Sequence, residues 1–125
     1  MKVIYNNIIP FDGFKAMVIG PFIFARRGAT ILERNLHHEG IHWEQQKEML
    51  IIGFYIAYLL LWAIEMIHCL FSRSRGTYRA THKLSVSKRA YYSIAFEREA
   101  YRHEEDNEYL RKRQHYAWLK KECWV

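Results

Sequence analysis

His38-Glu39-Gly40-Ile41-His42 places two imidazoles four residues apart, with a carboxylate next to the first. Four residues of α-helix make slightly more than one turn, so a helix here projects His38 and His42 from one face. Two imidazoles so placed take two corners of a zinc tetrahedron, and Glu39 reaches a water at an open corner. Zinc lowers the pKa of such a water to about 7, and a carboxylate can then take its proton. Random placement of the chain's 7 His and 11 Glu gives roughly 0.03 such patterns. Composition alone therefore does not account for the motif.

A catalytic zinc has three protein ligands and one open position. The third candidate is Glu97, in Phe96-Glu97-Arg98-Glu99-Ala100-Tyr101, 55 positions after His42. With this segment the chain resembles the gluzincin metallopeptidases, in which HExxH on one helix is completed by a Glu of an ExxA motif on a later helix. Glu97-Arg98-Glu99-Ala100 fits ExxA. The chain is also similar to short HExxH proteins that carry a FEREAY segment. The resemblance rests on two short segments. It implies a zincin-like fold, with His38, His42 and Glu97 as ligands of Zn2+. Glu39 would be the general base and proton shuttle, and the substrate a peptide or protein. Ala100, three residues after Glu97 on the same helical face, would let the two helices approach closely. Glu99 is the fallback ligand; two positions away, it points elsewhere than Glu97.

Other polar groups stay open. His37 lies about 100° around the helix from His38 and reads as a surface histidine. Gln45 and Gln46 follow His42 by three and four residues, so either orients a ligand or is a solvated amide. Tyr91, Tyr92, Tyr101 and His103 flank Glu97, and no motif singles out one as an oxyanion donor.

The positioning elements read as follows. Strands are expected at 3–9 (Val3-Ile4-Tyr5, extending to Ile8-Ile9), 16–19 and 22–25, with turns at Pro10-Phe11-Asp12-Gly13 and Gly20-Pro21. By resemblance, segment 16–27 is an edge strand that pairs with substrate. Thr30-Ile31-Leu32-Glu33 is a capping box for the HExxH helix. Gly40 inside that helix costs about 1 kcal/mol against Ala, which a close approach by another backbone would explain. Met49 to Ile64 carries no charge, and as one helix residues 49–71 would span about 35 Å, enough to cross a bilayer. Glu65 argues against a span, because an acid in the bilayer costs roughly 2.5–3.5 kcal/mol. Residues 72–90 read as a basic loop. Two helices are expected after it, 94–106 capped by Ser93 and 108–120 capped by Asn107. Trp118, Leu119 and Trp124 are expected to dock the C-terminus. The expected class is α+β, mainly α: short strands, the HExxH helix, a long apolar helix and two C-terminal helices.

At 125 residues this is one domain, small for a peptidase. Net charge is +6, and the 31 residues between Glu65 and Glu97 contain no acid. Arg73, Arg75, Arg79, Lys83, Lys88 and Arg89 suit an anionic membrane surface, with contact through residues 49–71 and the basic loop 73–89. No motif supports nucleic acid as a partner. Cys69 and Cys123 give no disulfide framework. Lys2 is a basic start, but Asn6, Asn7, Pro10, Asp12 and Gly13 interrupt any secretory h-region. A cytoplasmic or membrane-associated protein is expected, with a homo-oligomer through a hydrophobic seam as a further option. Zinc-dependent peptide hydrolysis leads two readings of other classes. One is a non-enzymatic basic adaptor for membrane or nucleic acid. The other is a di-iron carboxylate protein using the two ExxH motifs at Glu39/His42 and Glu65/His68. On one continuous helix those two motifs stand about 39 Å apart.

Overall fold

The computed structural model describes residues 2–7 and 16–124. The architecture is α+β and mainly helical, as the sequence suggests. Three short strands form one sheet, β1 (Lys2–Asn6), β2 (Ala16–Ile19) and β3 (Phe22–Arg26), in the order β1-β3-β2. β3 runs parallel to β1 and antiparallel to β2, with Val18 opposite Ile23. Gly20, at φ +60°, turns β2 into β3. Ile8-Ile9 and the turn at Pro10–Gly13 lie outside the described residues.

Helix α1 (Glu33–Glu48) carries the motif. Its N-cap is Leu32 rather than the expected Thr30, which plays no capping part. The Leu32 N–H donates to Asn35 Oδ1 at 2.9 Å instead, so Asn35 takes the reciprocal role assigned to Glu33. α1 ends in a left-handed turn. The Ile51 N–H reaches back to the Gln46 carbonyl at 2.7 Å and the Leu50 N–H to Lys47 at 3.4 Å, the paired closure of a Schellman motif. Leu50 and Ile51 have φ of 56° and 64°, where glycine is usual. The apolar segment is therefore not one helix from Met49; it restarts as α2 (Ile52–Phe71).

One face of α2 builds the core. Phe54, Ile94 and Phe96 are buried together, with Tyr58, Leu61 and Trp62 packed around them. Helices α3 (Val86–Ser93) and α4 (Ala95–His103) follow. α3 packs on α2, and α4 packs on α1. The basic segment thus ends in helix, with Ser85 accepting the Lys88 N–H. Two of its cations turn inward. Arg75 grips Glu65 with two hydrogen bonds of 2.7 Å. Arg89 donates to the carbonyls of Ser72 (2.7 Å) and Cys69 (3.1 Å), satisfying the last turn of α2. Gly76, at φ +79°, passes so close to Arg89 that a Cβ would stand 2.0 Å from its carbonyl oxygen.

The helix at Glu97 starts one residue later than expected, and Ser93 does not cap it. Ser93 ends α3 and donates its hydroxyl to the Arg89 carbonyl at 2.8 Å. The expected 108–120 helix is also absent. Only α5 (Tyr109–Lys112) forms, followed by single 3-10 turns at Ala117–Leu119 and Lys121–Cys123. Asn107 caps nothing; Glu108 is the N-cap. The cause is Arg113, which leaves helical geometry to bridge Glu48 and Glu99. Trp118 docks edge-on against Phe96 at 4.9 Å, while Leu119 stays exposed.

Candidate metal centre

Three side chains from two helices meet at one point. His38 Nε2 lies 3.1 Å from Glu97 Oε1, His42 Nε2 lies 3.1 Å from Glu97 Oε2, and the two Nε2 atoms are 3.1 Å apart. All three residues are buried. Ligands at about 2.0–2.1 Å from a tetrahedral zinc stand roughly 3.3 Å from one another. The observed spacings are close to that edge length.

Protonation can be worked out from the surroundings. Gln45 Nε2 donates to the Phe96 carbonyl and to Glu99 Oε1, both at 3.0 Å. Those groups only accept, so the amide orientation is fixed and Gln45 Oε1 faces His42 Nδ1 at 2.8 Å. That oxygen can only accept, so His42 carries its proton on Nδ1. On the other ring, His38 Nδ1 faces Glu104 Oε2 at 3.6 Å, which favours the same tautomer. Both Nε2 lone pairs then point at the Glu97 carboxylate, which already accepts the Tyr58 hydroxyl at 2.7 Å. Lone pairs converging in a buried site call for a cation.

Without a metal, protons fill that role. Burial opposes charge on His38, but the Glu104 and Glu97 carboxylates outweigh it and push the imidazole up to about 10. His42 shifts the same way, burial being overcome by Glu97. Burial alone would raise Glu97, yet His42 and His38 hold it well below the usual carboxylate range. Glu39 moves the opposite way: burial raises it against the pull of His42 and His38.

Beside the centre lies a cavity of about 240 Å³, lined by His38 and Glu39 together with Ala16, Arg79, Lys88 and Tyr101. Tyr101 packs edge-on to His38 at 4.4 Å between ring centroids and carries the Arg79 guanidinium on its ring. Ala16 brings edge strand β2 to the rim. Part of that edge is already tied down, because the Val18 carbonyl accepts from Gln46 Nε2 and from the Tyr55 hydroxyl.

The structure brings together His38, Glu39, His42 and Glu97. Of the two amides, Gln45 orients His42, and Gln46 holds β2. Glu99 does not face the centre; it accepts from Gln45, Tyr109 and Arg113. His37 sits against the Glu104 carbonyl, and His103 stacks on Tyr109 at 3.8 Å. Glu65 pairs with His68 and with Arg75, and among the described residues only His38, His42 and Glu97 form a group that could hold a metal ion. Gly40 is approached by the Leu110 side chain, whose Cδ1 would lie 2.9 Å from a Cβ there, and not by another backbone. Tyr58, Glu104, Glu48 and Arg113 are participants the sequence reading missed. Glu104 had a signal, seven residues after Glu97 and so on the same helical face. Arg113 had none.

No protein-family model, no curated protein and no solved structure matches this chain.

Proposed function

We propose that the chain is a minimal zinc-dependent hydrolase, most simply a metallopeptidase of zincin-like type. The observation that carries this reading is the convergence of the His38 and His42 lone pairs on both oxygens of Glu97, beside a cavity that Glu39 also lines. Three protein donors suit a catalytic zinc, since structural sites take four. When bound, zinc supplies Lewis acidity and activates water near neutral pH. The chain's own groups supply the rest. Glu39 accepts the proton of the attacking water on its carboxylate and passes it to the leaving amine. Its raised pKa suits both halves of that transfer. Gln45 and Glu104 hold the two imidazoles in the tautomers that present Nε2. Tyr58 steadies Glu97 from the other side.

The test is elemental analysis of wild type, Glu97→Ala and Glu39→Gln, purified without added metal, followed by turnover of a peptide library. One zinc per wild-type chain, reduced in Glu97→Ala, establishes the centre. Glu39→Gln is expected to keep its zinc and lose hydrolysis. Zinc-free wild type that also fails to take up added zinc overturns the reading.

A further inference from the structure

Helix α2 has a second face that the metal centre does not use. Ile52, Ile56, Leu59, Leu60, Ile64, Ile67 and Leu70 are all exposed, from the first residue of the helix almost to its last. Among the exposed positions of α2, His68 is the only polar residue. A helix that turns one face to water carries polar side chains there. Here the order is reversed. The polar groups of α2, Glu65 and the hydroxyls of Tyr55 and Tyr58, point into the protein, and the outward face is aliphatic.

Three features decide what covers this face. The first is length. The helix has 20 residues, about 30 Å at 1.5 Å per residue, and the aliphatic stripe runs along nearly all of it. Its mean hydropathy of 1.8 is set without interruption, because Glu65 is buried on Arg75 and does not break the outer stripe. The second is composition. Protein-binding surfaces are enriched in Tyr, Trp, Met and Arg, within a rim of hydrogen-bonding groups. This stripe is Ile, Leu and Ala, with one aromatic, Phe71, at its end. The third is charge. Arg73 follows the stripe directly and is exposed with no acidic partner among the described residues. A cation at the end of an apolar face complements anionic headgroups.

We propose that the outward face of α2 is lipid-facing and seats the protein in an anionic bilayer, with Arg73 at the headgroups. α2 does not cross as a lone span, because its other face is covered by α3 and the core. The protein is held by one face. The seating is independent of the hydrolytic reading and holds whether or not the centre turns over substrate.

The experiment is cell-free synthesis of the full chain with phosphatidylcholine vesicles, with and without phosphatidylglycerol, followed by flotation. Wild type is expected to float with the vesicles, more completely when they are anionic. Ile56→Gln, Leu60→Gln and Ile67→Gln combined should leave the protein in the dense fraction with its zinc content unchanged. Arg73→Gln should reduce the preference for anionic vesicles. Should the triple variant misfold, Leu60→Cys carrying an environment-sensitive dye supplies a second reading; brominated lipids are expected to quench it. Wild type remaining dense with vesicles overturns the proposal, as does a triple variant that floats equally well or a dye that is not quenched. Wild type that ignores vesicles but sediments as a dimer, made monomeric by the triple substitution, would identify the stripe as a seam between copies and overturn it too.

Discussion

At the residue scale, the centre depends on side chains that never touch its middle. Gln45 fixes the His42 tautomer because its own amide is locked by two acceptors. Replacing it with Ala removes the acceptor for Nδ1–H, and the ring can then turn the wrong nitrogen inward. Gln45→Ala is expected to weaken zinc binding about 10- to 100-fold with folding retained, as for other partners of metal ligands; competition with a chromophoric chelator reads this directly. A second expectation concerns protons. His38 sits at about 10 without metal, so at pH 7.5 zinc must displace a proton to reach Nε2. Calorimetry in buffers of differing ionisation enthalpy should show release of at least one proton per zinc. At this scale the sequence was most legible. HExxH and the segment resembling ExxA named the four side chains that the structure brings together; helical spacing puts His38 and His42 on one face, and the resemblance supplied Glu97. Partners contributed by distant segments, such as Tyr58 and Arg113, leave no such periodic trace.

At the element scale, the joints carry the strain. Gly76 combines a left-handed φ with a Cβ position inside the Arg89 carbonyl. Gly76→Ala should cost about 2–4 kcal/mol by forcing this loop away from α3, measurable in urea unfolding. The joint between α1 and the C-terminal segment is electrostatic. Burial would raise Glu48, but Arg113 and the Tyr116 N–H hold its carboxyl below the usual range. A depressed folded pKa adds stability that is complete above the unfolded value of about 4.5 and lost as pH falls through the folded one. Glu48→Gln should therefore be less stable than wild type at pH 7 and lose less on acidification; the pH dependence of the unfolding midpoint checks this. Elements were legible where periodicity and turn residues agreed, as for β1 to β3 and α1. They were not where a tertiary contact overrode local preference. Leu50 and Ile51 break the helix without a glycine to announce it, and Arg113 ends α5 for the sake of Glu48 and Glu99.

At the scale of the whole molecule, zinc would tie together α1 and α4, the ligands lying 59 positions apart. A ligand at about 100 times its Kd adds roughly 2.7 kcal/mol to a folded state that alone can bind it. For a domain of this size that amounts to about 10 °C in Tm. Stripping zinc with a chelator should lower the melting temperature by this order, and the melting temperature of Glu97→Ala should not change when zinc is added or removed. An unchanged Tm after complete removal of zinc would mean that the two helices stand together without it.

Chain order gives the placement of α2 a further meaning. On the ribosome, α2 is finished before Glu97 has been joined to the chain. During that interval His38 and His42 exist without their carboxylate, while the aliphatic stripe is already made. Synthesis thus completes the aliphatic stripe of α2 before the chain holds all three side chains of the candidate centre. The same order puts the connection at 72–85 between the two halves of the candidate centre. A single cleavage there parts the histidines from Glu97 and leaves the stripe on the fragment that keeps the histidines.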